Sequence, residues 1–408
     1  MKIAFKTLGC KLNQYDTQLL REMAEEALYE ITDFNDTADI YVINICSVTM
    51  SAVQQSRNIV RRARRKSKGA KIIVTGCYPE DIQELLQEVD VYVTNSEKSS
   101  FFEKFFGLSR KNISRFAEHT RAFVKIQSGC NRFCSYCIVP YLRGKEHSRS
   151  VEEIKREIKA LVINGFKEIS LTGVHIGRYS YKGKNLVKLL KEIEQIEPLE
   201  RIRLGSLNPE EISEELIHYV SVSEKICHHF HISLQSADKK ILRAMGRRYN
   251  HFDVSRKLIE INELIPDCSI GADIITGFPS EQEMEFQNTY DYIKGLPFTY
   301  LHIFRYSPRK STLAAILPDK VNELQKKRRS ELLRELALQK SIKFRENYIG
   351  KNLRVLVETK RDRKTKMMVG FSGNYIRVLI PETENSETKF RDVLIERISG
   401  YDTYGRIY

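Results

Sequence analysis

Residues 122–144 read AFVKIQSGCNRFCSYCIVPYLRG, an alternating apolar run followed at once by Cys130, Cys134 and Cys137. A strand whose carboxyl end opens into a loop that carries chemistry is the unit of βα barrels and open parallel sheets. Spacings of three and then two residues put three thiols on one short loop, within reach of a single metal centre. Outward from this stretch, five more strand-like runs follow: EISLTG, RIRLGS, HFHISLQ, SIGADII and YLHIFRY. Six βα units over residues 121–335 predict an open or partial barrel instead of the closed eight.

Before that stretch, KIAFKTL, DIYVINI, KIIVTG and VDVYVT alternate with helical patterns near 15–30, 50–67 and 80–88. Short β-branched runs between helices read as a doubly wound parallel sheet. Residues 107–120 are polar and aperiodic, the pattern of a linker. After the barrel, 319–346 predicts one long amphipathic helix that ends before Gly350. Then NLRVLVET, MMVGFSGNYIRVLIP and DVLIERI alternate apolar and polar positions, as in a small antiparallel barrel of OB-like size. The expected class is therefore α/β with three domains: residues 1–112, 116–342 and 345–408.

The chain has 408 residues, 41% hydrophobic and 29% charged with only 10 prolines, which excludes collagen-like and wholly disordered classes. A net charge of +14 makes a polyanionic partner plausible. No apolar stretch approaches the roughly 18 residues of a membrane span, and Lys2 and Lys6 interrupt what would be a signal segment. The expected compartment is the cytoplasm, where disulfides are rare, so the eight cysteines call for metal or redox chemistry.

A fully ligated 4Fe-4S cluster takes four cysteines and structural zinc four ligands. No fourth cysteine lies near Cys130, Cys134 and Cys137. Either one iron stays open, or a zinc site is completed by a residue such as His147. A second set is dispersed: Cys10 follows the first strand, Cys46 follows YVINI and Cys77 follows KIIVTG. In an open parallel sheet, strand carboxyl ends gather at one crevice, so three distant thiols converge. Cys227 and Cys268 read as core thiols.

The CxxxCxxC spacing, with Tyr136 before the last cysteine, resembles the radical S-adenosylmethionine superfamily. TLGCKLNQYDT, NICSVT, TGCYPE, SGCNRFCSYCIVPYLRGKEHSRS and the C-terminal barrel, called a TRAM domain there, together resemble its methylthiotransferases. GCKLNQ at Cys10 is similar to the members that modify threonylcarbamoyladenosine next to the anticodon of tRNA; the isopentenyladenosine branch more often shows GCQMN. The resemblance implies S-adenosylmethionine and two 4Fe-4S clusters. Cys130, Cys134 and Cys137 would hold the radical-generating cluster, and Cys10, Cys46 and Cys77 an auxiliary cluster that carries sulfur. It implies insertion of a methylthio group at carbon two of the adenine, the anticodon stem-loop of tRNA as partner, an electron donor such as a flavodoxin or ferredoxin system, and a sulfur source. The chain departs from the family pattern at His175, more often Asn, and near Lys310 and Ser311, more often Gly or Pro.

Other features lie at strand ends. Gly173 and Gly177 would let backbone approach a cofactor, and Gln235 and Arg247 could bind ribose or carboxylate. His229 and His231 share a strand face but show no further ligand, so they read as ordinary strand histidines. RNIVRRARRKSKGAK, 57–71, holds eight basic residues and no acid, with Arg61, Arg62, Arg64 and Arg65 as phosphate-binding candidates. ETKRDRKTK, 358–366, adds Lys360, Arg361 and Arg363 in a predicted hairpin. Alternatives are a methylthiotransferase for isopentenyladenosine in tRNA or for a ribosomal protein, a radical enzyme acting on a small molecule, and a zinc-stabilised RNA-binding module.

Overall fold

The structure is a computed structural model that describes residues 1–78, 87–117, 119–382 and 389–407. The first sheet has five parallel strands in the order Glu30–Thr32, Lys2–Thr7, Ile40–Cys46, Lys71–Cys77 and Val91–Val93. Its central strands are buried on both faces. Tyr41, Ile43 and Ile45 pack with Val53, Val60 and Ala63 of helix Met50–Lys66, whereas Ile40, Val42 and Ile73 pack with helices Lys11–Glu26 and Lys98–Phe106. Such a continuous apolar run is what a parallel strand covered by helices requires.

Two details depart from the expected pattern, and one lies beyond what the structure describes. The first helix starts at Lys11, with Cys10 as its cap, and ends at Glu26 because Leu28 turns into the left-handed region at φ 62°. The edge strand Glu30–Thr32 and the helix Lys98–Phe106 carried no clear signal. The helix expected over 80–88 falls mostly outside the described residues.

Residues 107–117, 119 and 120 have no helix or strand after the turn at Gly107, yet they are pinned. Glu22 accepts from the backbone N–H groups of Ser114 and Arg115 and pairs with Arg110, while Ile113 is fully buried. A linker with a buried carboxylate at its centre acts as a strap, since that charge is tolerated only while fully hydrogen-bonded.

The central unit holds two parallel sheets that meet where strand Arg201–Arg203 passes through Leu204 and Gly205 into Ser206–Leu207. One runs Arg201–Arg203, Glu168–Thr172, Ala122–Lys125; the other Ser206–Leu207, His229–Gln235, Ser269–Thr276, Tyr300–Arg305. Six βα units thus form a partial barrel. Ile169, Leu171, Ile202, Phe230, Ile232 and Ile270 join the apolar core. The alternate positions Glu168, Ser170, Arg201, Arg203, His229, His231 and Asp273 fall on the opposite face of the wall, which follows from the two-residue period of a strand.

The long helix, Glu323–Glu346, is not amphipathic in the expected sense, because its buried side includes Lys326, Arg329, Ser330 and Arg345 beside Leu333, Leu336 and Ala337. Each buried cation there has a partner: Arg329 bonds Glu281 at 3.0 Å, Lys326 bonds Glu323 at 2.9 Å, and Arg345 bonds Thr403 Oγ1 at 3.1 Å.

The C-terminal strands close into a barrel in the order Asn352–Arg361, Met368–Ser372, Arg377–Ile380, Asp402–Ile407, Phe390–Ser399. One pairing, Arg377–Ile380 with Asp402–Ile407, is parallel, which corrects the purely antiparallel expectation. The run MMVGFSGNYIRVLIP also divides in two at Gly373–Tyr375, where Tyr375 adopts φ 65°. This corner docks on the partial barrel: Arg203 donates to the carbonyls of Ser372 and Gly373 at 2.8 and 3.0 Å, and Tyr375 stacks on His229 at 4.6 Å.

Candidate functional site

The dispersed cysteines stand at three adjacent strand ends. Cys46 and Cys77 are register partners, and Cys10 follows the first strand across Leu8 and Gly9. Gly9 has φ 97°, and a Cβ there would stand 2.6 Å from Cys46 Cβ, so only glycine lets the first loop approach Cys46 this closely. Asn13 fastens that loop by donating to the carbonyls of Leu8 and Ile45, both at 2.9 Å. Ser47 Oγ donates to the Cys77 carbonyl at 2.6 Å.

A residue absent from the sequence reading completes this set. Arg143, on the short helix Val139–Arg143 after the second cysteine loop, donates Nε to Cys77 Sγ at 3.2 Å. It also bonds Asn13 Oδ1 at 2.5 Å and faces Asp16 Oδ2 at 3.6 Å. Asp16 is further paired with Lys98 at 3.1 Å and Lys125 at 2.7 Å. A guanidinium donating to sulfur complements the negative charge that a metal-bound sulfur carries. Burial pushes the Cys46 thiol up to about 11, with Cys77 and Cys10 adding to the effect. Three mutually interacting thiols with one fixed cation are chemically suited to a three-thiolate iron–sulfur cluster.

The second set lies on one loop tied down at both ends. Cys130 N–H donates to Gly144 O at 3.1 Å, and Ser135 N–H donates to Met245 O at 3.0 Å. Gly129, at φ 75°, could carry no Cβ, which would meet Lys145 O at 2.0 Å. Burial pushes the Cys137 thiol up to about 12, with Cys134 and Cys130 contributing. His147, the residue weighed for a zinc set, turns Nδ1 to Lys145 O at 3.3 Å. All eight cysteines are free thiols.

One cleft of about 240 Å³ is lined by Cys137 of the second set, and the chain that leaves Cys46 of the first set reaches it through Val48 and Thr49. Val48 and Thr49, just past Cys46, form one side; Tyr136 and Cys137 another; Gln235, Asp273 and Phe304 come from the barrel strands. Arg309 holds the first side in place by donating to Val48 O at 3.2 Å. A larger cleft of about 740 Å³, beside Tyr29, Asp39 and Lys71, lies at the amino ends of the first sheet's strands, away from the cysteines.

Among the expected site residues, Tyr136 is half-buried and edge-on to Phe278 at 6.5 Å, and loss of solvent around its hydroxyl pushes the phenol well above the usual range. Gln235 has φ 66°, a strained backbone for a non-glycine residue. Arg247 is buried, bonds the Ser233 carbonyl, and has Nε without a hydrogen-bond partner among the described residues. Gly173 has a packing reason: a Cβ would stand 2.8 Å from Ile176 Cγ2 and 3.0 Å from Gln127 O. His175 bonds Glu211 at 2.8 Å. His231 and His302 both face Asp273 Oδ1, at 2.9 and 3.4 Å, and Tyr300 Oη is 2.8 Å from both His229 Nε2 and His231 Nδ1. His229 and His231 thus share the Tyr300 phenol and His231 and His302 the Asp273 carboxylate, partners that lie more than 40 residues downstream of His231 in the sequence.

The basic segments divide. Arg64 bonds Asp90 at 2.6 Å and three loop carbonyls, so its role is to hold the chain after the helix; Arg61 faces Glu88 at 3.8 Å. The compensating acids missing from 57–71 come from 88–90. Arg65 remains on the surface, and Arg62 lies over Phe34 at 6.0 Å. In the C-terminal turn Arg361 pairs with Glu382, while Lys360 and Arg363 are surface residues.

Comparison with known proteins gives two matching family descriptions: Radical SAM superfamily over residues 124–293, and uncharacterized protein family UPF0004 over residues 2–95. The chain is 40% identical to the threonylcarbamoyladenosine tRNA methylthiotransferase MtaB of Aquifex aeolicus (strain VF5), over 93% of this chain and 100% of that relative. It is 36% identical to the MtaB of Bacillus subtilis (strain 168), over 98% and 94%. A tRNA-2-methylthio-N(6)-dimethylallyladenosine synthase of Syntrophus aciditrophicus (strain SB) is 34% identical over 93% and 92%. Among solved structures, the radical S-adenosylmethionine methyltransferase TsrM from Kitasatospora setae, with cobalamin and a 4Fe-4S cluster bound, superposes with a TM-score of 0.58. At 14% identity, covering 77% of each chain, that likeness concerns the fold. Among the described residues no helix is long and apolar enough to cross a membrane.

Proposed function

Because the chain belongs to the radical S-adenosylmethionine methylthiotransferases, the family of its 40% and 36% identical relatives, we propose that it places a methylthio group on carbon two of threonylcarbamoyladenosine in tRNA, beside the anticodon. The observation that carries this reading is Arg143, which joins the loop of one cysteine set to Cys77 of the other at 3.2 Å. With Cys137 in the lining of the cleft and Val48 and Thr49 leading from Cys46 into it, hydrogen abstraction and sulfur delivery can address the same carbon.

In this reading Cys130, Cys134 and Cys137 hold one 4Fe-4S cluster and Cys10, Cys46 and Cys77 the other. With S-adenosylmethionine bound, these groups supply the radical and the sulfur; the protein supplies position and electrostatics. Tyr136 and Gln235 shape the cofactor side of the cleft and Val48 and Thr49 the sulfur side, with Arg247 as a further cofactor ligand. Residues 1–112, 116–342 and 345–408 act as auxiliary-cluster, radical and RNA-binding domains. Arg62, Arg65, Lys360 and Arg363 contact tRNA phosphates; Arg61, Arg64 and Arg361 also serve their acidic partners. An electron donor of the flavodoxin or ferredoxin class and a sulfur source complete the cycle, in the cytoplasm.

The test is mass spectrometry of digested tRNA nucleosides with and without the gene. The expected gain is a methylthio group on threonylcarbamoyladenosine; an identical nucleoside profile in both strains refutes the reading. An anaerobically reconstituted sample should be brown, with absorbance near about 400 nm.

A further inference from the structure

One row of the partial barrel carries an excess of positive charge. Phe123, Ser170 and Arg203 are register partners across three strands and so share a face, and Arg201 pairs with Glu168 in the same sheet. Onto this row comes Lys11, from the other cysteine unit. It is the residue after Cys10, and its Nζ lies 3.5 Å from Ser170 Oγ and 5.6 Å from the Phe123 ring centroid.

Arg121, Arg201 and Arg203 all share the buried Glu168, at 3.7, 2.6 and 3.0 Å, and Arg121 also pairs with Glu358 at 3.0 Å. Lys11 forms no salt bridge among the described residues, and Arg121 and Arg203 stand close enough to repel it. Four cations therefore face two carboxylates. His229, near enough for Lys11 and Arg203 to act on it, has a buried Nδ1 with no hydrogen-bond partner among the described residues. Unbalanced charge away from water is unfavourable until an anion arrives.

We propose that Lys11 is a specificity-determining residue that binds the carboxylate of the threonylcarbamoyl group. This rests on the function proposed above. Threonylcarbamoyladenosine carries a carboxylate on its N6 substituent, whereas the dimethylallyl group handled by the 34% identical relative has none. A base whose carbon two faces the sulfur held near Cys10 has its N6 substituent about one ring away. The side chain next to Cys10 reaches toward that region, and Arg203 sits in the same row. The occupant is therefore an amino-acid carboxylate. A backbone phosphate is the competing anion, and the experiment separates the two.

Fluorescence anisotropy on the reconstituted full-length protein compares anticodon stem-loops carrying threonylcarbamoyladenosine, its methyl ester, or plain adenosine. The wild type should prefer the free acid over the ester on the order of 10-fold, the strength of one charge-assisted hydrogen bond. Lys11→Met should reduce that preference to about one, and Lys11→Arg should retain most of it. Thermal unfolding of both variants reports whether each is folded. A preference that survives in folded Lys11→Met overturns the proposal, as does equal weakening of all three RNAs, which would assign Lys11 to backbone phosphate. If the wild type makes no methylthio product on threonylcarbamoyladenosine, the parent reading fails. If it makes product while the acid preference ignores Lys11, only the present inference fails.

Discussion

The two cysteine sets reach similar chemistry by opposite routes. Cys130, Cys134 and Cys137 fall within eight residues on one loop, so chain connectivity alone brings them together. Cys10, Cys46 and Cys77 stand at or just past the ends of three strands and converge only because the parallel sheet aligns its carboxyl ends. The dispersed set accordingly needs more support: Gly9 for close approach, Asn13 as a clasp, and Arg143 from the neighbouring unit. The local set depends on its own loop and on the Met245 carbonyl, which accepts from Ser135 N–H. A local ligand set is thus robust to distant change, whereas a dispersed one inherits the stability of the whole sheet and its interface.

The largest effect should separate the two sets completely. Replacing Cys130, Cys134 and Cys137 with Ala should abolish both S-adenosylmethionine cleavage and methylthiolated product. Replacing Cys10, Cys46 and Cys77 should stop the product but leave reductive cleavage, read as 5′-deoxyadenosine by chromatography. Methylthiolated tRNA from the second triple variant would end the division of labour.

Next in size is Arg143→Met, which cuts the link and leaves Asp16 to Lys98 and Lys125. It should cost about 2 kcal/mol in folding stability and lower iron bound at the dispersed set. Iron counting beside denaturant unfolding checks this; equal iron loss from both sets would contradict it.

Gly9→Ala and Gly129→Ala place a methyl in the left-handed region before the first cysteine of each set, at φ 97° and 75°. Each should destabilise by about 1–3 kcal/mol. Gly9→Ala should also lower iron occupancy at the dispersed set alone, measurable by Mössbauer spectroscopy of selectively reconstituted samples. If the two variants deplete both sets alike, the sets are not independent.

An effect confined to acid pH lies outside both sets. Burial alone would raise the Glu168 carboxyl, but Arg203, Arg201 and Arg121 outweigh it and hold the pKa at about 2, from 4.5. A depressed folded pKa contributes stability that is present above pH 4.5 and is lost as pH falls toward about 2. The loss should be at most about 3 kcal/mol. It should loosen the C-terminal barrel docked on Arg201 and Arg203. Urea unfolding of the cluster-free protein across this range should show the slope, and Glu168→Gln should flatten it.

Much of this comparison was legible in the linear chain. The six strands of the partial barrel, the four alternating strands of the first unit and all six cysteines stand out from local pattern, because strand period and loop spacing are local properties. Arg143 was printed beside the cysteine loop, in PYLRG, but nothing in that spacing says it turns toward Cys77. The same holds for Arg64, whose acids come from 88–90, and for Tyr300, which ties two histidines from a separate strand. The parallel pairing in the C-terminal barrel escaped pattern reading because alternation is identical in both strand directions.

Consecutive residues specify the class of chemistry and the order of the units, since CxxxCxxC and the strand periods are local patterns. Which side chains meet across units emerges only on folding. Lys11 beside Ser170, Arg143 beside Cys77 and Tyr375 on His229 join residues more than a hundred positions apart or from separate units. Such contacts depend on how packed faces register against one another, and that is set by burial of the whole apolar core, which no short stretch encodes.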